Sequence, residues 1–187
     1  MKISRKTAGK GIIALNIFTM LVFLFVILEI LPYQFISGGR LESFEAAVQT
    51  ASTSIVMMIY GIPVVAAASG LMRIKDYKSL FKGWLFFSLV LIVVLVFEGS
   101  IMGLIVVSYS LPLVAVLAGV IDHKQFNRTA KIYLWLSFLF ICLNTLGNLL
   151  GATWFEKIIM SLVTMIQAVL YFYLATRKRK RKIRPKE

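Results

Sequence analysis

The chain has 187 residues, of which 59% are hydrophobic and only 16% charged, with a mean hydropathy of +0.86 and a formal net charge of +13. Soluble domains carry roughly 25% charged residues, so this much apolar surface excludes a soluble fold and points to helix packed on helix in lipid. One membrane domain, residues 1–176, accounts for nearly all of the length, and a polybasic tail, 177–187, follows it.

Met1 to Lys10 carries Lys2, Arg5, Lys6 and Lys10 ahead of an apolar stretch of about twenty residues, too long for a signal-peptide core and without an A-x-A site after it. It reads as an uncleaved first span, about Gly11 to Leu31, stopped at Pro32 with Glu29 near its end. The segment to Glu45 is rich in turn residues, and Ser43 is placed to cap the helix that follows. Span two, about Phe44 to Leu71, opens with small and polar residues that prefer protein or water to lipid. Gly61 and Pro63 predict a kink in it, and Ala66, Ala67, Ala68, Ser69 and Gly70 allow another helix to come close.

After a basic loop, Trp84 to Ile121 runs almost unbroken in apolar residues, roughly 57 Å as one helix against a hydrocarbon core of ~30 Å. It must double back, and the Glu98, Gly99, Ser100 step is the place for the turn. Spans three and four are then about Leu80 to Phe97 and Ser100 to Ile121, the latter with Pro112 inside it. Span five, about Ile132 to Leu150, leads to span six, about Lys157 to Thr176. No clear internal repeat is evident.

Charge tests the arrangement independently. With the N-terminus cytoplasmic, 19 of the 21 basic residues fall inside, and only Arg40 and Lys157 fall outside. The inner face then carries +16 and the outer face −3, which together give the net +13. The expectation is an all-α, polytopic bundle of six transmembrane helices in the cell membrane, both termini cytoplasmic.

Small residues four apart, Gly99 with Gly103, Ala115 with Gly119, Gly147 with Gly151 and Ala66 with Gly70, predict close helix contacts within the bundle. The candidate ligand-binding residues are Gln49, Thr53, Glu98, Asn144, Asn148 and Gln167. Asn144 and Asn148 share one stripe of span five with Gly147 and Gly151, and Gln49 and Thr53 share a face of span two. Amides in hydrocarbon need partners, so these residues either bond helix to helix or converge on a pocket open to the outside. Glu29 and Glu98 at its rim would favour a neutral or cationic ligand.

Arg177, Lys178, Arg179, Lys180, Arg181 and Lys182 form an unbroken basic run, suited to the headgroups of an anionic inner leaflet. Aromatic residues for base stacking are absent from it, which argues against nucleic acid. His123 is the only histidine, Cys142 the only cysteine, and the sequence holds no G-x-S-x-G, H-E-x-x-H or Walker pattern. No enzyme, metal or cofactor is expected.

In size, span count and orientation the whole chain resembles the substrate-binding membrane subunits of energy-coupling-factor vitamin transporters. The resemblance implies an ATPase and a second membrane subunit as partners. That family docks its partner through A-x-x-x-A on its first helix, whereas here Ala14 is followed four residues on by Phe18. The reading is a non-enzymatic binding or accessory subunit in transport or envelope processes, with an importer's substrate-binding subunit and an immunity or stress protein against cationic peptides as alternatives.

Overall fold

A computed structural model describes residues 3–34, 43–72, 77–151 and 153–177, and all regular structure among them is helical. Six helices are long and apolar enough to cross a membrane. They are α1 (Arg5–Ile27), α2 (Phe44–Ser69), α3 (Lys78–Phe97), α4 (Ile101–Ala118), α5 (Phe126–Leu149) and α6 (Ser161–Thr176), the last two spanning together with the helical turns that precede them, as His123–Leu149 and Phe155–Thr176. A 3-10 turn, His123–Gln125, leads into α5, and a π-helical turn, Phe155–Met160, into α6.

Two helices begin well before the hydrophobic residues that announced them. Ser4 starts α1 by accepting from the Thr7 N–H, six residues ahead of the apolar run, and α5 begins at Phe126 rather than Ile132. Caps and loops set these starts, whereas hydropathy reports only what lies in lipid. Ser43 caps α2 as expected, accepting from Ala46 N–H. The turn at Glu98, Gly99 and Ser100 is present, with Gly99 at φ +68°, a conformation that glycine adopts without a Cβ clash. Glu29 takes the same conformation, φ +58°, just past α1, at a cost of roughly 1–2 kcal/mol for a residue with a Cβ.

Helices pair in chain order, α1 with α2, α3 with α4, and α5 with α6. The sides are closed by α6 lying on α1, α4 on α5, and α2 on α4. Both described chain ends lie at one end of the bundle, since Arg5 reaches the carbonyls of Ala68 and Leu174. Most of the core is at this end too. Val64 to Ser69 and Leu113 to Ala118 are each six consecutive buried residues, which makes the last turns of α2 and α4 the centre of the molecule. Towards the opposite end α5 buries only Thr145 beyond Ser137, and its leucines face outward.

An internal repeat, not evident from inspection of the sequence, emerges from the contacts. Tyr60, Pro63, Val65, Ala66 and Gly70 recur 49 residues on as Tyr109, Pro112, Val114, Ala115 and Gly119. Both glycines end their helices in the left-handed region, φ 83° and 77°, and the N–H groups that follow bond to Ala66 and Ala115 respectively. The register continues into the next helix, where Lys82 and Ser88 match Lys131 and Ser137. Tyr60 meets Ser88 at 3.0 Å, and Ser137 donates to Tyr109 at 3.3 Å, so each half fastens its two helices with the same pair. A tyrosine–serine bond at matching positions thus joins α2 to α3 and α4 to α5, although α5 packs along α4 far more closely than α3 does along α2.

Ser110 brings α4 to the same tyrosine. Its hydroxyl lies 2.9 Å from the Tyr60 hydroxyl, and all three groups, Tyr60, Ser88 and Ser110, are buried. Ser88 also donates to the Trp84 carbonyl and Ser110 to that of Val107. With both serine protons so used, the one phenolic proton serves one serine at a time. Trp84 donates its indole N–H to the Tyr60 carbonyl at 3.2 Å and stacks on the Tyr60 ring, fixing α3 to the turn of α2 just before Pro63.

Of the small-residue pairs, Gly103 makes the close helix contact expected, since a Cβ there would lie 2.8 Å from Leu95 of α3, while others play different parts. Gly70, Gly99 and Gly119 have positive φ and shape helix ends. At Gly147 a Cβ would meet no atom of another described element within 4 Å, so no described helix packs against it. The closest approach is instead at Gly9, where a Cβ would lie 2.2 Å from Ser69 Oγ and 2.4 Å from Ser69 Cβ.

Candidate functional site

The six candidate residues are divided among different helix pairs. Thr53 on α2 donates to Glu98 Oε2 at 3.4 Å, beside the α3–α4 turn. Asn148 near the end of α5 donates to Thr164 on α6 at 3.4 Å. Gln167, only 4% exposed, donates its amide N–H to Asn16 Oδ1 on α1 at 2.9 Å. Four of the six therefore spend polar atoms on interhelical bonds, each worth about 0.6 kcal/mol in such a bundle. Gln49 is exposed near the start of α2.

Asn16 is the partner that the sequence reading missed. It is the only amide side chain in α1, and a lone amide within an apolar run is a usable signal for an interhelical bond. It stands near the middle of α1, as Gln167 does in the last span, so the pair joins these helices at mid-length.

Asn144 differs from its neighbours. Its side chain is exposed, it makes no hydrogen bond with another described residue, and Leu143, Leu146 and Gly147 around it are exposed as well. Beside it, the open space at Gly147 leaves room for a close-packed backbone. The outer surface of α5 thus presents a polar group flanked by leucine and a small-residue notch.

A second feature lies at the end of the bundle that holds the chain ends. A cavity of about 340 Å³ opens between the first turns of α1 and α5 and the last turns of α2 and α6. Arg5, Lys131 and Arg177 bring three positive charges to it, Asn127 and Thr176 bring polar groups, and Leu134 and Leu174 form apolar wall. No Asp or Glu is among its described lining residues. Arg5 is held in place by donating to Leu174 O at 2.6 Å and Ala68 O at 3.1 Å, and also to Arg177 O. These are carbonyls at helix C-terminal ends, where a cation is favoured. Arg177 donates to Ile3 O at 2.9 Å and lies over the Tyr173 ring at 4.9 Å. Lys178 to Lys182, the remainder of the proposed headgroup-binding run, lie outside the described residues.

No protein-family model, curated protein or solved structure matches the chain. Among the described residues there is no group of three His, Cys, Asp or Glu side chains placed to hold a metal ion.

Proposed function

We propose that this chain is a non-enzymatic, multi-pass protein of the cell membrane that acts as an accessory or binding subunit beside another membrane protein. The inner side of the membrane is taken to be the end of the bundle that holds Arg5, Lys78, Lys131 and Arg177, with Glu29, Glu98 and Glu156 at the outer end. Asn144 carries the reading. It faces away from the bundle about five residues from the end of α5, at a depth where lipid provides no hydrogen-bond partner. A helix of a partner subunit, seated on the Gly147 notch, would supply both a donor and an acceptor for the amide.

Purification of the tagged protein from its native membrane in mild detergent tests this. A stoichiometric membrane partner is expected, and Asn144→Leu is expected to reduce its recovery roughly fivefold, the effect of about 1 kcal/mol of lost interhelical bonding. The variant should fold normally, because Asn144 bonds to no other described residue. An ATPase among the recovered proteins would assign the chain to an importer of the kind its architecture resembles. Recovery of the protein alone would refute the accessory-subunit reading, and recovery unchanged by Asn144→Leu would move the contact away from α5.

A further inference from the structure

The amide pair that joins α1 to α6 is only half used. Gln167 gives one N–H to Asn16 Oδ1 at 2.9 Å, and neither side chain makes a second hydrogen bond. The carbonyl oxygen of Gln167 and the amide nitrogen of Asn16 are left over, an acceptor beside a donor. Exchanging oxygen for nitrogen in both amides leaves the same spare pair. Neither spare atom is sealed in by packing, so both touch space open to a molecule of water's size. That space lies inside the bundle: Gln167 is only 4% exposed, and the lipid-facing Leu162, Met165, Val169 and Phe172 occupy the opposite side of α6.

We infer that Asn16 and Gln167 form a binding site within the membrane for a neutral molecule carrying a hydrogen-bond donor beside an acceptor, such as a carboxamide, a lactam or a cyclic imide. Charge is disfavoured at this depth. No Asp, Glu, Lys, Arg or His occurs in residues 11–28, 46–72, 132–155 or 158–176, so an ion would find no counterion. A purely apolar molecule would leave both amide atoms unsatisfied, whereas a carboxamide answers each of them. The way in is from the outer end of the bundle. Ser161, Thr164 and Gln167 place buried polar groups at successive turns on the inward side of α6. Asn148 of α5 reaches Thr164, and its own carbonyl oxygen makes no hydrogen bond, so amides and hydroxyls line the descent from the π-helical turn to the Gln167 level.

Acetamide and benzamide, two carboxamides of different size, serve as probes, titrated onto the full chain in lipid nanodiscs and read by saturation-transfer NMR against empty nanodiscs. Saturable binding of at least one is expected. Its ketone counterpart, acetone or acetophenone, keeps the acceptor but loses the donor and should bind roughly tenfold more weakly. Benzoate should not bind. The double variant Asn16→Leu with Gln167→Leu removes both partners of the interhelical bond together, so it orphans no amide and should fold, as thermal unfolding will show. Carboxamide affinity is expected to fall at least roughly tenfold in it. The comparison of amide with ketone uses the unaltered chain and holds whether or not a variant folds.

Equal affinity for amide and ketone, binding of benzoate, or carboxamide affinity unchanged in a folded double variant would overturn the inference. Absence of saturable carboxamide binding would overturn it in favour of an amide pair bridged by water. The site shares with the proposed function only the membrane-spanning bundle. Asn144→Leu should leave carboxamide affinity unchanged, and failure to recover a membrane partner would count against the accessory-subunit reading without touching this site.

Discussion

Gly9→Ala is expected to destabilise the bundle by about 1–3 kcal/mol, the usual range for overpacking, and Gly9→Leu to prevent α1 from docking on α2. The added Cβ would sit 2.2 Å from Ser69 Oγ and 2.4 Å from Ser69 Cβ, and the latter atom moves only if the backbone of α2 moves with it. Ser69 is itself buried in the last turn of α2, within a run of six consecutive buried residues. Removing the obstacle should therefore rescue the variant. The pair Gly9→Ala with Ser69→Gly is expected to recover most of the lost stability, measured as the midpoint of unfolding in mixed micelles. A neutral Gly9→Ala, or losses that simply add in the double variant, would contradict this α1–α2 contact.

The second large effect is expected at Tyr60. Tyr60→Ala empties a fully buried aromatic site where α2, α3 and α4 meet, and losses of about 3–5 kcal/mol attend such truncations. Tyr60→Phe isolates the hydroxyl. Ser88 and Ser110 keep their bonds to the carbonyls of Trp84 and Val107, so its cost should be near 1 kcal/mol. Tyr109→Phe, at the matching position, removes the acceptor of the buried Ser137 hydroxyl and should cost at least as much as Tyr60→Phe, about 1–3 kcal/mol. The same unfolding midpoint decides the matter. A Tyr60→Phe loss as large as that of Tyr60→Ala would place the stabilisation in the hydroxyl network, and no loss in either would remove Tyr60 from the core.

Hydropathy made the six helices and the α3–α4 turn legible, because a span of apolar residues and a glycine beside a carboxylate have few alternatives in lipid. Helix starts were less legible: Ser4 and Phe126 begin helices inside basic segments, where the apolar signal has not yet risen. The repeat escaped because its matches are few and widely spaced. A tyrosine, a proline, an alanine and a glycine mean little until the Tyr60–Ser88 and Tyr109–Ser137 contacts show them in equivalent places.

Site residues were legible as polar groups within apolar helices, but their partners were not. Gln167 bonds to Asn16, some 150 positions earlier in the chain, through a helix order that periodicity does not reveal. The spacing of Asn144 and Asn148 suggested a common face, yet one is exposed and the other reaches Thr164. The stripe straddles the boundary between the α6 interface and the outer surface. The cationic cavity was beyond sequence reasoning altogether, since Arg5, Lys131 and Arg177 come from three helices and meet only on folding.

The reading as a membrane bundle with both ends inside is tested most directly by the side on which introduced thiols react. With Cys142 replaced by serine, single cysteines at Ser100, Thr153 and Ser79 can be treated with a membrane-impermeant maleimide on intact cells. Ser100→Cys and Thr153→Cys should label from outside, and Ser79→Cys only after permeabilisation. Labelling of Ser79→Cys alone would invert the bundle, and labelling of all three from outside would mean that α3 does not cross the membrane.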